Sequence, residues 1–138
     1  MSVEGLRAEA QRWLRQAQDD KEAAEALVSV RKYAQAAFLA QQAGEKALKG
    51  LWLSQDLDAW GHSLARLIKD LPPSPIQQAV APLLDAALAL DKLYIPTRYP
   101  DALPGTIPAE SYTRAEAEAA LQHAQLILQA VIRLIPAK

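Results

Sequence analysis

The chain has 138 residues, 51% of them hydrophobic, with 15 Lys and Arg against 16 Asp and Glu, two His, no Cys and a formal net charge of -1. That length suits a single domain over 1–138 with a real core. The lack of Cys excludes a disulfide framework and thiolate metal or redox chemistry. The missing basic excess argues against a protein that holds nucleic acid mainly by neutralising phosphates. The N-terminus is charged, unlike a secretory signal, and no run approaches the roughly 20 apolar residues of a spanning helix. A cytoplasmic protein with no membrane partner is expected.

Ala and Leu are abundant, and most Pro residues fall between 72 and 108, which leaves both ends free for long helices. Over 3–29, Leu6, Ala10, Trp13, Ala17, Ala24 and Leu27 recur at steps of three and four, one apolar stripe on a helical period, interrupted at Asp20. Over 31–54 the stripe is Tyr33, Ala37, Ala40, Gly44, Ala47 and Leu51, widened by Ala36, Ala43 and Leu48. Its small residues let another backbone approach closely. Only a few residues around Val30–Arg31 link the two, which predicts an antiparallel hairpin. Residues 3–28 hold six acids and four bases, 31–54 four bases and one acid, and 55–112 seven acids and four bases. A basic helix between acidic segments suits complementary pairing of neighbours.

A loop over 55–62 leads to Ser63, an N-cap for a short helix Leu64–Leu71 that Pro72 and Pro73 end. Ser74-Pro75 joins an N-cap to Pro at the first helical position, opening a helix to Leu93 that Pro82 kinks or splits. From 95 to 112, Pro96, Pro100, Pro104 and Pro108 recur every fourth residue, which predicts an ordered but extended strap. Thr113 and Glu116 have capping-box spacing and open the last helix, about Arg114–Ile135. The whole reads as all-α: an up-and-down antiparallel bundle of four to five helices with a long Pro-rich loop before the last.

Three polar groupings carry potential chemistry. Asp20 interrupts an apolar stripe, which is costly unless it is paired, and Lys46 and Lys49 on the next helix are within reach. Gln41, Glu45 and Lys49 lie four apart on one helical face between Phe38 and Trp52, with Glu45 and Lys49 a favourable pair. Exposed aromatics mark contact surface, so this face suits a partner or dimer surface and a ligand site equally. In Tyr94-Ile95-Pro96-Thr97-Arg98-Tyr99-Pro100-Asp101, flanking prolines stiffen a segment that offers a planar guanidinium for phosphate beside a stacking ring. The alternative is an Arg98–Asp101 bond that locks the loop down. His62 precedes the Ser63 cap, His123 lies within the last helix, and neither has metal-ligand spacing. Phosphate-loop and dinucleotide glycine motifs are absent.

These residues in combination resemble the HEPN family. The resemblance is carried by Trp13 and Asp20, then Tyr33-x2-Ala36-x-Phe38-x2-Gln41-Gln42-Ala43-x-Glu45-Lys46-Ala47-x-Lys49, then His62-Ser63-Leu64 and the Tyr94–Asp101 segment. It spans roughly residues 5 to 132. It implies a bundle of four or five helices that usually dimerises, is proposed to bind nucleotides, and is often encoded beside a minimal nucleotidyltransferase. Some such pairs act as toxin and antitoxin, and the fold is similar to the helical domain of aminoglycoside nucleotidyltransferases. One branch of the family cleaves RNA with an Arg and a His separated by four to six residues. That spacing is missing here: no Arg precedes His62 or His123 at such a distance, and Arg98 is followed there by Leu103, Pro104 and Gly105.

The expectation is a dimeric nucleotide-binding or protein-interaction module that works with a nucleotidyltransferase, with no catalytic residue of its own. Arg98, Tyr99, Asp101, Glu45, Lys49 and His62 would contact the ligand, a nucleotide being the one cofactor class implied, while Asp20 and Lys46 pair structurally. A ribonuclease toxin acting on RNA and a purely structural dimerisation domain are the alternatives.

Overall fold

The computed structural model describes residues 2–136, and among them there is no β-strand. Helix α1 (Val3–Ser29) starts at Ser2, whose hydroxyl accepts the Gly5 N–H. The chain then reverses within Val30–Lys32, where Arg31 takes a left-handed conformation (φ 65°) and the Lys32 N–H returns to the Leu27 carbonyl. Helix α2 (Tyr33–Ser54) follows antiparallel to α1. The buried row of α1 is Ala10, Leu14, Ala17, Asp20, Ala24 and Val28. Trp13 and Leu27, expected inside, are half-buried. The seam is rotated by one residue because α1 packs against two helices, α2 and the last one.

More than half of α2 is buried, which makes it the central helix. Two glycines set its close contacts. A Cβ on Gly50 would lie 3.2 Å from Trp13 Cβ and 3.3 Å from the Ala10 carbonyl oxygen; one on Gly44 would lie 2.6 Å from Leu64 Cδ2.

The third arm comes in pieces: α3 (Leu64–Lys69), α4 (Pro75–Val80), a 3-10 turn at Ala81–Leu83 and α5 (Leu84–Asp91). Ser63 and Ser74 cap α3 and α4 through the N–H groups of Arg66 and Gln77. Pro82 splits the arm, as a residue without an N–H should. Helix α3 runs alongside α2 in the same direction, from Leu64 beside Gly44 toward Trp52, and α5 returns the opposite way past Gly44 toward Phe38. Trp52 Nε1, near the end of α2, donates to the Leu67 carbonyl at 2.8 Å, while Tyr94 lies 6.3 Å from Phe38 near its start.

The strap departs from the extended path expected of it. Residues 92–98 wind through successive turns, Pro100–Ala102 forms a 3-10 turn, and Pro108–Ser111 forms the single-turn helix α6. The physical reason is that Pro is well suited to the first position of a helical turn, where no N–H is needed. Pro100 and Pro108 therefore open turns. Thr97 Oγ1 and Arg98 Nε close others on the carbonyls of Leu93 and Tyr94. Extended backbone occurs at Tyr99, Leu103, Ile107 and Tyr112, between these turns and at the end of the strap.

Helix α7 (Arg114–Leu134) opens on the Thr113–Glu116 capping box. It runs parallel to α2 and antiparallel to α1: Arg114 lies over the Tyr33 ring at one end, and Gln11 Nε2 donates to the Ile135 carbonyl at the other. Leu48, Leu51, Leu64, Leu90, Ile127 and Val131 are fully buried where the arms meet. No described helix is long and apolar enough to cross a membrane.

Candidate functional site

Glu45 is only 4% exposed, so its carboxylate must be compensated inside the fold. Gln41 Nε2 donates to Oε1 at 3.1 Å, and Lys49 Nζ donates to Oε2 at 3.0 Å. These partners stand one turn either side of it on α2, the face the four-residue spacing indicated. The third partner comes from the loop before α3: His62 Nδ1 is 3.2 Å from Oε2. An ionised carboxylate can only accept, so Nδ1 is the donor in this contact, and when the ring is neutral Nε2 keeps its lone pair. The His62 side chain is 56% exposed, so that edge can meet solvent or a ligand. Gln41 Nε2 also reaches the His62 carbonyl at 3.3 Å, which ties the loop to the helix.

The imidazole stacks on Tyr94 with ring centroids 4.6 Å apart and planes 17° apart. Tyr94 in turn meets the Arg98 guanidinium, which lies 4.4 Å from its centroid, 4.5 Å from that of Phe38 and 5.0 Å from that of Tyr99. Each contact is a cation–π interaction. Arg98 Nε donates to the Tyr94 carbonyl at 2.8 Å; its terminal nitrogens have no acceptor among the described residues. A continuous row thus runs from Lys49 through Glu45, His62 and Tyr94 to Arg98.

Four of the six residues singled out from sequence, Glu45, Lys49, His62 and Arg98, are joined in this row, and Tyr99 flanks it. Asp101 is not joined. It is exposed on the strap, and the Arg98–Asp101 bond weighed from the sequence does not form, because Arg98 is turned toward three aromatic rings. Asp20 and Lys46 lie on the α1 side of α2: Lys46 Nζ and Gln16 Nε2 donate to the 7%-exposed Asp20 at 2.5 and 2.9 Å. Sequence reasoning missed Gln41 as a partner of Glu45, and the Phe38–Tyr94 clamp on Arg98. The four-residue step from Tyr94 to Arg98 was the available signal.

Two depressions adjoin these residues. A cleft of about 450 Å³ lies between the first turn of α2 and the strap, and a shallower one of about 650 Å³ lies beside Trp13 and Lys46.

A small helical bundle whose central helix and proline-rich strap present a polar and aromatic row defines a class of helical modules rather than a known catalytic centre. The HEPN domain model matches residues 10–134. A solved structure from Thermus thermophilus is 48% identical over 91% of this chain and 97% of its own, with a TM-score of 0.83. An archaeal HEPN homologue is 38% identical over 93% and 98%, with a TM-score of 0.77. A HEPN domain protein from Thermotoga maritima is 31% identical over 89% and 96%, with a TM-score of 0.65. No curated protein matches the chain. The chain belongs to the HEPN family.

Proposed function

We propose that this protein is a dimeric, nucleotide-binding HEPN module that serves a nucleotidyltransferase partner. The observation that carries the reading is Arg98, held among Phe38, Tyr94 and Tyr99 with its terminal N–H groups unused by the described residues. A guanidinium fixed in this way gives up little freedom on meeting a phosphate. Tyr99, about half exposed, offers a stacking face, and Asp101 on the same strap offers an acceptor for a ribose hydroxyl. Glu45 holds His62 within the row through Nδ1, and Nε2 of the neutral ring can accept from a ligand.

Calorimetry with ATP, GTP and their monophosphates tests the reading, with co-purification of a partner as a second arm. Binding should appear, and Arg98→Ala should weaken it at least about tenfold, the loss of a hydrogen bond to a charged group. No heat at millimolar nucleotide, with no partner recovered, defeats it.

One observation favours a second reading, RNA cleavage by a site built differently from the family's Arg–His spacing. His62 has a carboxylate behind it and an outward Nε2, the arrangement of a general base. Incubating the pure protein with RNA decides this. Intact RNA in the presence of the wild type removes it.

A further inference from the structure

The cleft between α2 and the strap gathers three cationic side chains in one depression. Its volume, about 450 Å³, is within the range of small-molecule sites. Arg31, Lys32 and Arg98 are the cations that line it, and Tyr33, Phe38 and Ile107 are among its apolar residues. None of these three cations pairs with a carboxylate among the described residues. In contrast Lys21, Lys46, Lys49 and Arg66 each have one, at Glu25, Asp20, Glu45 and Asp70. In the depression beside Trp13, Arg12 is held by Glu9 at 2.9 Å and Lys46 by Asp20, which leaves Arg15 as its one cation without a carboxylate partner among the described residues. Arg7, Arg15, Lys69, Lys92 and Arg133 also lack a carboxylate partner among the described residues, but this cleft brings three such cations to one depression of a chain whose formal net charge is -1.

We infer that this cleft is the seat of one nucleoside monophosphate, its phosphate against Arg31, Lys32 and Arg98 and its base against the Tyr33–Phe38–Ile107 side. The inference rests on the nucleotide reading above and adds to it a place, the residues Arg31, Lys32 and Tyr33, and a size. Three cations beside an aromatic wall suit a compact dianion attached to a flat ring better than a single carboxylate. The volume holds one nucleotide and has no room for a duplex. Arg31 also keeps a left-handed backbone that Gly or Asn would adopt more easily. Such conformations concentrate at ligand sites.

The test measures the affinity of the full chain for AMP, adenosine and inorganic phosphate by calorimetry. It uses wild type, the double variant Arg31→Asn/Lys32→Gln, and Lys69→Gln on the distant α3 as a control. Both cleft positions are exposed and Asn tolerates the left-handed backbone, so the double variant should fold, which a melting curve checks. AMP should bind at least about tenfold more tightly than adenosine, with phosphate competing for the same site. The double variant should lose about tenfold or more of its AMP affinity while its adenosine affinity stays within about twofold, and Lys69→Gln should match wild type. If wild type binds AMP and the double variant binds it equally well, the nucleotide reading stands and this seat is wrong. Adenosine binding as tightly as AMP overturns the phosphate assignment. If wild type binds no nucleotide at all, the broader reading fails and the seat with it.

Discussion

The carboxylate of Asp91, at the end of α5, accepts the backbone N–H of Leu64 at 2.6 Å and so caps α3 from the helix packed beside it. The same carboxylate accepts from the Ala65 N–H at 3.1 Å and from the Ser63 hydroxyl at 2.8 Å. Ser63, in turn, caps the Arg66 N–H. First-turn N–H groups have no partner within a helix, and here a residue 27 positions away in sequence supplies one. Because His62 directly precedes Ser63, this cap also fixes where the loop presents its imidazole.

Asp91→Ala should therefore lower stability by about 2 kcal/mol, the loss of a charged acceptor from several donors at a helix start. Urea unfolding measures it. Asp91→Asn should retain part of the effect, since an amide oxygen still accepts. An alanine variant as stable as wild type would mean that Ser63 alone suffices as the cap.

Glu45 carries a larger share of the local energetics. Lys49 has a side chain only 14% exposed and pairs with Glu45. Removing one member of a largely buried pair leaves the other charge without compensation, so Glu45→Ala should cost about 3 kcal/mol. Glu45→Gln keeps the shape and an acceptor and should cost less. The nitrogen chemical shifts of His62 provide a second readout: they should report a proton fixed on Nδ1 in wild type and a mixed tautomer in Glu45→Ala. Unchanged shifts would show that Glu45 does not set the tautomer.

The long helices were legible because their signals are local. Stripes at steps of three and four, the Ser63 and Ser74 caps and the Thr113–Glu116 box all reappear in the structure. The Glu45–Lys49 pair was legible for the same reason, being one turn apart. What the sequence hid depends on tertiary contact. Nothing near Asp91 says that it caps α3, and nothing near Phe38 says that Arg98, 60 positions on, lies over its ring. The strap was misread because Pro was weighed as a helix breaker, when at Pro100 and Pro108 it is a turn opener. The rotation that puts Leu14 rather than Trp13 inside follows from a second neighbour, α7, invisible in the periodicity of α1 alone.

Gly44 packs where α2 meets both α3 and α5. An added Cβ would lie 2.6 Å from Leu64 Cδ2 and 3.0 Å from Leu90 Cδ1. Both leucines are fully buried, so neither can swing away freely. Overpacking of this kind costs about 1–3 kcal/mol, and the gain in helix propensity from Gly to Ala returns about 1 kcal/mol. Gly44→Ala should thus be destabilising by about 1 kcal/mol net, read as a lower urea midpoint with an unchanged slope. A stabilised variant would show that the leucines have room to shift.

Arg31 gives the opposite sign. Its left-handed backbone (φ 65°) costs an L-residue with a side chain about 1–2 kcal/mol, whereas glycine adopts it freely. Glycine brings a larger entropy loss on folding, which offsets part of that gain. Arg31→Gly should therefore raise stability by about 0.5–1 kcal/mol and move the urea midpoint upward. If the cleft beside it holds a nucleotide phosphate, the same substitution should weaken AMP binding, so stability and affinity move in opposite directions. A variant both more stable and equally tight for AMP would leave the unfavourable backbone at this position without a ligand to account for it.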